Sequence, residues 1–278
     1  GYNSLTSQTT ANSNVAIGTF SMMVNIEGDR NVAIGLGSLQ NMNPSSASDT
    51  YNTAVGYAAG QNITTGVNNV VIGGLAGDAI TTGSGNTLMG RDAGGAIITG
   101  SNNTIIGETA GDAITGGGDN VVIGHNSTAA VNGSNQIAIG ADVNAINGSN
   151  GITLGDSNIS YFQCQVQSIS ALSDERDKTN ILDSTYGLDF INNLKPVKFE
   201  WDNRIETKID GTEFYSANKG RKDLGFIAQD LEKLDDDYTQ LVNNTNPDKL
   251  LASYSRLIPI MAKAIQELSA KVKELESK

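Results

Sequence analysis

The strongest constraint on the fold is a repeat that recurs about every 17 residues through the first 155 positions. Each repeat reads Asn, Val or Thr, a variable residue, a large aliphatic residue and Gly, with looser forms at the end. A unit this short cannot bury its own apolar face, whereas stacked units can. We therefore predict a mainly β shaft, a β-roll or solenoid. The repeat segments are Asn14–Gly18, Asn31–Gly35, Asn52–Gly56, Asn69–Gly73, Asn86–Gly90, Asn103–Gly107, Asn120–Gly124, Gln136–Gly140 and Gly151–Gly155.

A second signal inside each repeat defines the expected shape of a coil. Ala-Gly follows the closing glycine, and an Ile-Thr-Thr-Gly run comes next, as in Ile63–Gly66 and Ile80–Gly83. This pattern predicts two short strands per coil, with Val15 and Ile17 on one face and Ala16 on the other. The near-constant spacing argues against a disordered glycine-rich tract.

Two further features concern the surface of the shaft. One interval between closing glycines is longer than the others, and its extra residues, 41–51 around Pro44, should project as a loop. Each strand also offers only one or two large apolar residues, so the core of a single coil is thin. We expect neighbouring chains to complete this core, most simply in a homotrimer.

The repeats offer few residues for chemistry. Their carboxylates are scattered over loop positions, which predicts solvated loops rather than the paired acids of a glycosidase. His125 is the sole histidine and has no second His or Cys nearby, so we expect no metal site. Residues 116–118 form a glycine run without a following Lys-Ser/Thr, which predicts a turn and not a phosphate loop. We expect no cofactor. The carboxylates are Asp78, Asp92, Glu108, Asp112 and Asp119.

Composition divides the chain near residue 172. Residues 1–172 hold 28 of the 32 glycines, with two basic and ten acidic residues, whereas residues 173–278 hold four glycines, 16 basic and 20 acidic residues. Both parts are acidic, which argues against a nucleic-acid partner. The single cysteine, Cys164, excludes an intramolecular disulfide, and no apolar run is long enough to insert in a membrane. No signal peptide opens the chain, and Gly1 fits the tail of a further repeat, so we expect a C-terminal fragment.

A serine and a lysine stand five residues apart where the composition changes, in Ser173-Asp-Glu-Arg-Asp-Lys178. A serine hydroxyl needs a base, and no histidine follows residue 125, which leaves lysine. A free lysine amine has a pKa of about 10.4, so a basic role requires burial or a neighbouring cation. Arg176 could supply the cation and trimer packing the burial, whereas Asp174 and Asp177 would oppose deprotonation. The alternative is a helix N-cap, Ser173-Asp174, followed by a charged first turn.

The region after the junction predicts an α+β domain. Its alternating and helical patterns indicate a helix over 186–194, a strand over 196–201, a polar hairpin or loop over 202–221, and a strand over 224–230 that leads into a helix over 230–234. The last segment, 254–278, predicts a helix with a heptad seam that would form a trimeric coiled coil. Packing of that helix against its own domain is the alternative. The seam residues are Ile258, Met261, Ile265, Leu268, Val272 and Leu275.

Two resemblances connect these patterns to known families. Residues 12–155 resemble the Asn-x-Val-Ala-Ile-Gly head repeats of trimeric autotransporter adhesins and some phage fibres. Residues 173–181 resemble the start of the intramolecular chaperone domain of phage tail spikes and fibres, a self-cleaving serine peptidase family of the endosialidase type. That family carries Ser-Asp-x-Arg-x-Lys followed by a small polar residue and Asn/Asp-Ile, and every fixed position matches here. The phrases Lys195-Pro-Val, Gly225-Phe-Ile-Ala-Gln-Asp and Ala264-Ile-Gln-Glu-Leu resemble the same family.

The resemblance implies a site and a function. Cleavage would fall at Leu172–Ser173, with Ser173 as nucleophile, Lys178 as base, and support from Asp174, Arg176 and Asn180. Gln229 would be either an active-site residue or a buried structural amide. The chain would be a fibre shaft (1–155), connecting strands (156–172) and a self-cleaving chaperone (173–278). It would be a virion tail fibre or spike that binds a glycan or protein receptor on the host cell. Its chaperone domain would be released or left attached in the host cytoplasm.

Other functions remain open at this point. The main alternative is a cell-surface trimeric adhesin, or another host-binding β-solenoid fibre that is not cleaved. A membrane-released transcription factor would need a basic DNA-binding region, and residues 1–172 contain only Arg30 and Arg91 as basic residues. An ice or glycan binder would need regular rows of threonine, and the Ile-Thr-Thr-Gly runs are irregular.

Overall fold

The computed structural model describes residues 1–46, 48–145, 148–156, 158–159, 173–202, 206–207, 213–214, 219–244 and 250–278. The chain divides into two compact units. The first comprises Gly1–Ile159 together with Ile205–Ser216, and the second comprises Ser160–Arg204 and Ala217–Lys278. The connecting strands expected over 156–172, including Leu172 and Cys164, lie almost wholly outside the described residues.

The repeats form a parallel β-solenoid, as their spacing predicts. Nine three-residue strands pair in chain order into one sheet, and each repeat position stands beside the same position in the next repeat. Val15 lies opposite Val32, for example, and Ile106 lies opposite Ile123. The strands are Val15–Ile17, Val32–Ile34, Thr53–Val55, Val70–Ile72, Thr87–Met89, Thr104–Ile106, Val121–Ile123, Ile137–Ile139 and Ile152–Leu154.

The glycine that closes each strand is a steric requirement of stacking. At Gly90 the backbone has a φ of +137°, a conformation that residues with a Cβ rarely adopt. A Cβ at this position would lie 2.4 Å from the carbonyl oxygen of Gly107 in the next coil. The same close approach occurs at the equivalent glycines from Gly18 to Gly124, so the coil spacing there depends on their missing side chains.

The asparagine that opens each repeat belongs to a buried ladder of hydrogen bonds. The Asn86 Nδ2 donates to the Gly100 carbonyl (2.9 Å) and to Asn69 Oδ1 (3.1 Å). Its Oδ1 accepts a hydrogen bond from the backbone N–H of Asn103 at 3.0 Å. A buried amide must be paired in this way, and the pairing repeats at each neighbouring coil. The ladder therefore ties every coil to the one before and the one after it.

The residues that fill the interior of a coil are not the ones that the sequence analysis expected. The middle residue of each strand points inward and, with the isoleucine of the second run, makes the core. Val15 and Ile17 are 45% and 58% exposed, so the predicted alternation is correct but the larger residues face outward. The predicted second strand of each coil is wrong, because Ile63 and its equivalents are buried within turns. Short second strands occur only in the described pairs Gly28–Asp29 with Ser48–Asp49 and Thr128–Ala129 with Asn144–Ala145.

The long interval is mostly folded into the shaft instead of projecting. Met42 is fully buried and Pro44 is also buried, while Ser48–Asp49 pairs with Gly28–Asp29 of the preceding coil. Of the described residues between Asn41 and this pairing, only Ser45 and Ser46 are exposed. The expected loop is therefore reduced to a short exposed tip.

The second unit is a small α+β assembly. Helix α1 (Leu188–Asn193), helix α2 (Ala228–Glu232) and helix α3 (Leu257–Glu276) accompany an antiparallel pair, Val197–Glu200 with Lys222–Gly225. The two-residue strands Val242–Asn243 and Leu251–Ala252 also pair. A further pair, Glu206–Thr207 with Glu213–Phe214, lies in the segment assigned to the first unit. Single 3₁₀ turns span Glu175–Asp177 and Tyr254–Arg256. The core of the unit consists of Leu231, Leu241, Leu257 and Ile260, with partly buried residues of α1 packed on it.

Helix α3 carries two apolar stripes with different surroundings. Leu257, Ile260 and Ala264 face the domain and are about nineteen-twentieths buried. The six residues of the predicted seam lie on another face and are between 43% and 69% exposed. Helix α3 therefore packs against its own domain, as the alternative expected, but it does so through a stripe other than the predicted seam.

Candidate active site

The junction is folded by a single tight turn. Asp174 has an extended backbone, and its carboxylate accepts a hydrogen bond from the backbone N–H of Arg176 (2.9 Å), which caps the 3₁₀ turn Glu175–Asp177. The Lys178 N–H then donates to the Glu175 carbonyl at 3.0 Å. The cap interpretation is thus correct for Asp174. The turn brings the residues at its two ends, Ser173 and Lys178, to the same side.

The side chains of Ser173 and Lys178 are in direct contact. The Lys178 Nζ lies 2.7 Å from Ser173 Oγ and 3.1 Å from the Ser173 carbonyl oxygen. A serine hydroxyl and an amine at this separation can exchange a proton without any rearrangement of the backbone. The short contact is the geometry that a nucleophile and its base require.

Arg176 is directed to Asp174. Its Nη2 and Nε lie 2.6 and 3.0 Å from the Asp174 carboxylate oxygens. The guanidinium hydrogen bond lowers the pKa of Asp174, which stays ionised, and raises the pKa of Arg176. The Asp174 carboxylate thus pairs with the Arg176 guanidinium, whereas the Lys178 amine contacts Ser173.

The remaining predicted residues are more dispersed. Ser173, Lys178 and Asn180 are exposed, and Asn180 adopts the left-handed conformation with a φ of 52°. Gln229 lies in α2 and is exposed, so the expectation of a buried structural amide is wrong. Leu172, the residue before the predicted scissile bond, is outside the described part of the chain.

One face of the solenoid sheet carries apolar residues that the sequence analysis assigned to the core but that point outward in the structure. The third residue of every strand in the solenoid sheet is aliphatic or Met and points away from the coil interior. The signal was available, because this residue directly precedes each closing glycine. We call this column of third residues the outer stripe, and its members are Ile17, Ile34, Val55, Ile72, Met89, Ile106, Ile123, Ile139 and Leu154.

The described residues offer neither a metal centre nor a membrane-spanning helix. Within those ranges, no three His, Cys, Asp or Glu side chains are grouped so that they could hold a metal ion. Over the same part of the chain, none of the helices combines the length and the apolar character needed to cross a bilayer.

Comparison with known proteins bears on the junction. Residues 173–242 match the model of a family described as chaperone of endosialidase, and the match begins at Ser173. No curated protein and no solved structure matches the chain. The match confirms the family that the junction motif resembles. A β-solenoid followed by a domain of this family fits a tailspike with a C-terminal chaperone.

Proposed function

We propose that this chain, whose residues 173–242 match the chaperone-of-endosialidase family, is a phage tail fibre or tailspike that trimerises through its C-terminal domain and then cuts itself. The cut falls at Leu172–Ser173, and each chain makes it once. The observation that carries this proposal is the 2.7 Å contact between Lys178 Nζ and Ser173 Oγ, at the first residue of the family match.

The reaction follows from the position of the serine beside its own peptide bond. Ser173 Oγ attacks the carbonyl carbon of Leu172 while its proton passes to the neutral Lys178 amine. The C–N bond then breaks, and the proton moves from Lys178 to the departing Ser173 amine. Water hydrolyses the resulting ester, which yields a Leu172 carboxylate and restores the serine hydroxyl. The products are a shaft ending at Leu172 and a domain beginning at Ser173.

Protonation of Lys178 is the feature that links cutting to assembly. The amine must be neutral to accept a proton, and burial favours the neutral form of lysine. Both members of the pair are exposed in a single chain. In the proposed trimer, neighbouring protomers would pack over the junction and exclude solvent from Ser173 and Lys178, so cleavage follows trimer formation. A chain that fails to assemble would then keep its chaperone.

Two apolar surfaces support the trimer. The seam on α3 leaves six large apolar residues in water, and burial of such side chains favours association by about 1.5–3 kcal/mol each. The outer stripe presents a second column of aliphatic residues along the solenoid. Contiguous exposed apolar surface of this kind is typical of a protein interface. Three shafts meeting along their outer stripes would share one dry interior.

The chaperone role answers a difficulty of the shaft. Neighbouring coils are nearly identical, so three chains could associate one or more coils out of register. A C-terminal domain that trimerises first aligns the chain ends and raises the local concentration of the shafts. Removal of the domain then leaves a shaft whose unfolding is under kinetic control. The mature fibre would belong to the virion and bind a receptor on the host cell surface.

The direct test is mass spectrometry of the purified full chain and of Ser173→Ala and Lys178→Ala. The unmodified chain should give two fragments that meet at Leu172–Ser173. Both variants should remain full length, because one lacks the nucleophile and the other the base. Glu175→Gln changes an exposed side chain at a variable position of the motif and should be cut normally. Cleavage at the same bond in both variants would rule out the Ser173–Lys178 pair.

A further inference from the structure

Glu267 occupies an unusual place on helix α3. The stripe of α3 that faces the domain runs through Leu257, Ile260 and Ala264, and the next residue in this spacing is Glu267. A carboxylate therefore continues an apolar stripe, and it is partly buried. Such a group needs hydrogen-bond partners, since an unpaired buried carboxylate is costly.

The partner of Glu267 is the start of helix α1. Glu267 Oε2 accepts a hydrogen bond from the backbone N–H of Leu188 at 2.8 Å. The residue that precedes α1, Gly187, has no side chain that could cap the helix. A Cβ on Gly187 would lie 2.3 Å from Glu267 Oε1, so the glycine makes room for the carboxylate.

This contact is where the chain leaving the junction first enters the domain. Lys178 and the residues up to 185 are exposed, and Gly187 is the first buried residue after Ser173. Glu267 is also the neighbour of Leu268 in the seam. One turn of α3 thus holds both the incoming chain and the surface proposed for the trimer.

We propose that Glu267 is a positioning residue for self-cleavage, because its carboxylate fixes the chain that follows Ser173 and Lys178 to the seam helix. The inference rests on the proposed cleavage function. When α3 assembles with its counterparts, the anchor carries the junction into a defined place against the trimer. Without it, the start of α1 loses its hydrogen bond to α3, and the reactive pair that precedes α1 is presented less reproducibly to the seam helix.

The experiment follows cleavage of the full chain during cell-free synthesis by gel electrophoresis, with native mass spectrometry of the same samples. Glu267→Ala should slow cleavage by about tenfold or more, since a small misplacement of a reacting group has that scale of effect. The trimer should persist, because Leu268 and the rest of the seam are unchanged. Glu274→Ala, an exposed position on the same helix, should cleave at the normal rate.

Two conservative substitutions at Glu267 distinguish a positioning role from an effect of its charge or of general stability. Glu267→Gln keeps an acceptor oxygen at the same reach and should cleave within about twofold of the unmodified chain. Glu267→Asp keeps the charge but is one methylene shorter, and it should be as slow as Glu267→Ala. Gly187→Ala should also be slow, and should add little to Glu267→Ala because both changes break the same contact.

Several results would overturn the inference. These are normal cleavage of Glu267→Ala, a Gln variant as slow as the Ala variant, and an Asp variant as fast as the Gln variant. Loss of the trimer in proportion to lost cleavage would show that Glu267 acts only on assembly. Ser173→Ala in the same series identifies the reaction, and if it is still cut then the proposed function itself fails, whatever the Glu267 variants do.

Discussion

The shaft and the C-terminal unit differ in how far they bury their apolar side chains and pair their polar groups within one chain. Each shaft coil makes the same contacts with its neighbours, and its buried side chains and amides are completed within one chain. In the described part of the C-terminal unit, the core is built on four large aliphatic side chains, while six others stand exposed along one helix. The shaft is therefore internally complete but repetitive, whereas the C-terminal unit is not repetitive and leaves one apolar face of α3 exposed.

This difference indicates a division of labour between specificity and stability. Identical coils give regular pairing, but they contain little information about which coil of a neighbouring chain is the correct one. A non-repetitive helix has a single best alignment with its copies. An autonomous aligning unit is then useful only while the shaft assembles, which is consistent with a cleavable junction between the two.

The largest expected effect comes from the seam. Ile265→Asp combined with Leu268→Asp places charges in the proposed trimer contact, and loss of each large apolar residue costs about 2–5 kcal/mol per chain. Light scattering during size-exclusion chromatography should show no trimer, and the shaft should aggregate or stay monomeric. Gln266→Asp, on another face of the same helix, should trimerise normally. A trimer in the double variant would mean that the shaft aligns itself.

The next effect concerns a glycine of the stacking column. Gly90→Ala places a Cβ 2.4 Å from a backbone oxygen at a positive φ, so the coils must separate. We expect a loss of about 3 kcal/mol or more in shaft stability, measured as the thermal midpoint by circular dichroism. Gly74→Ala is the matched control, because its Cβ would have no neighbour closer than 4.0 Å. Equal midpoints would contradict the steric role.

A somewhat smaller loss should follow removal of one ladder amide. Asn86→Ala leaves the N–H of Asn103 and the carbonyl of Gly100 without these partners. Each unsatisfied buried group costs about 1–3 kcal/mol, so we expect about 2–4 kcal/mol in all. Asn62→Ala, which removes an exposed amide in the coil that opens at Asn52, should cost less than about 0.5 kcal/mol. Denaturant unfolding of the two variants measures the difference.

The smallest effect is an opposite response of the two regions to acid. Burial, with repulsion from Asp92, raises the pKa of Asp78 and Asp112 in the shaft. A raised folded pKa contributes stability that is present below the ordinary value and is lost as the pH rises through the folded value. These two groups should therefore make the shaft more stable as the pH falls from about 5 towards 3, while exposed Glu108, whose pKa is lowered by its hydrogen bond from Arg91, acts in the opposite direction.

The C-terminal unit should change in the other direction. The hydrogen bond from the Tyr186 hydroxyl lowers the pKa of Asp236, and that from Lys233 lowers the pKa of Asp230. These contributions are present above the ordinary carboxyl pKa and are lost as the pH falls through the lowered values. Trp201, the sole tryptophan, reports this unit by fluorescence, while circular dichroism reports mainly the shaft. Parallel shifts of both signals would contradict the assignment.

Much of the architecture could be read from the sequence because it repeats. The spacing of Gly73, Gly90 and Gly107 predicts both the coil length and the neighbours of every strand, and the paired registers agree. The helix that begins near residue 254 was also predictable from its heptads, since its apolar spacing is periodic. One error concerns the side of a strand on which burial occurs. Alternation separates Val15 from Ala16, but it does not say which of the two faces the coil interior.

The junction and the C-terminal unit also contain both kinds of feature, those that the sequence predicts and those that it does not. A serine and a lysine five positions apart, a solenoid period and a heptad seam can be recognised in the sequence, because these are properties of local spacing. The exposure of Gln229 and the contact of Glu267 with α1 across 79 positions are seen only in the folded chain. Such features depend on how distant segments pack, and packing is not written in any local pattern.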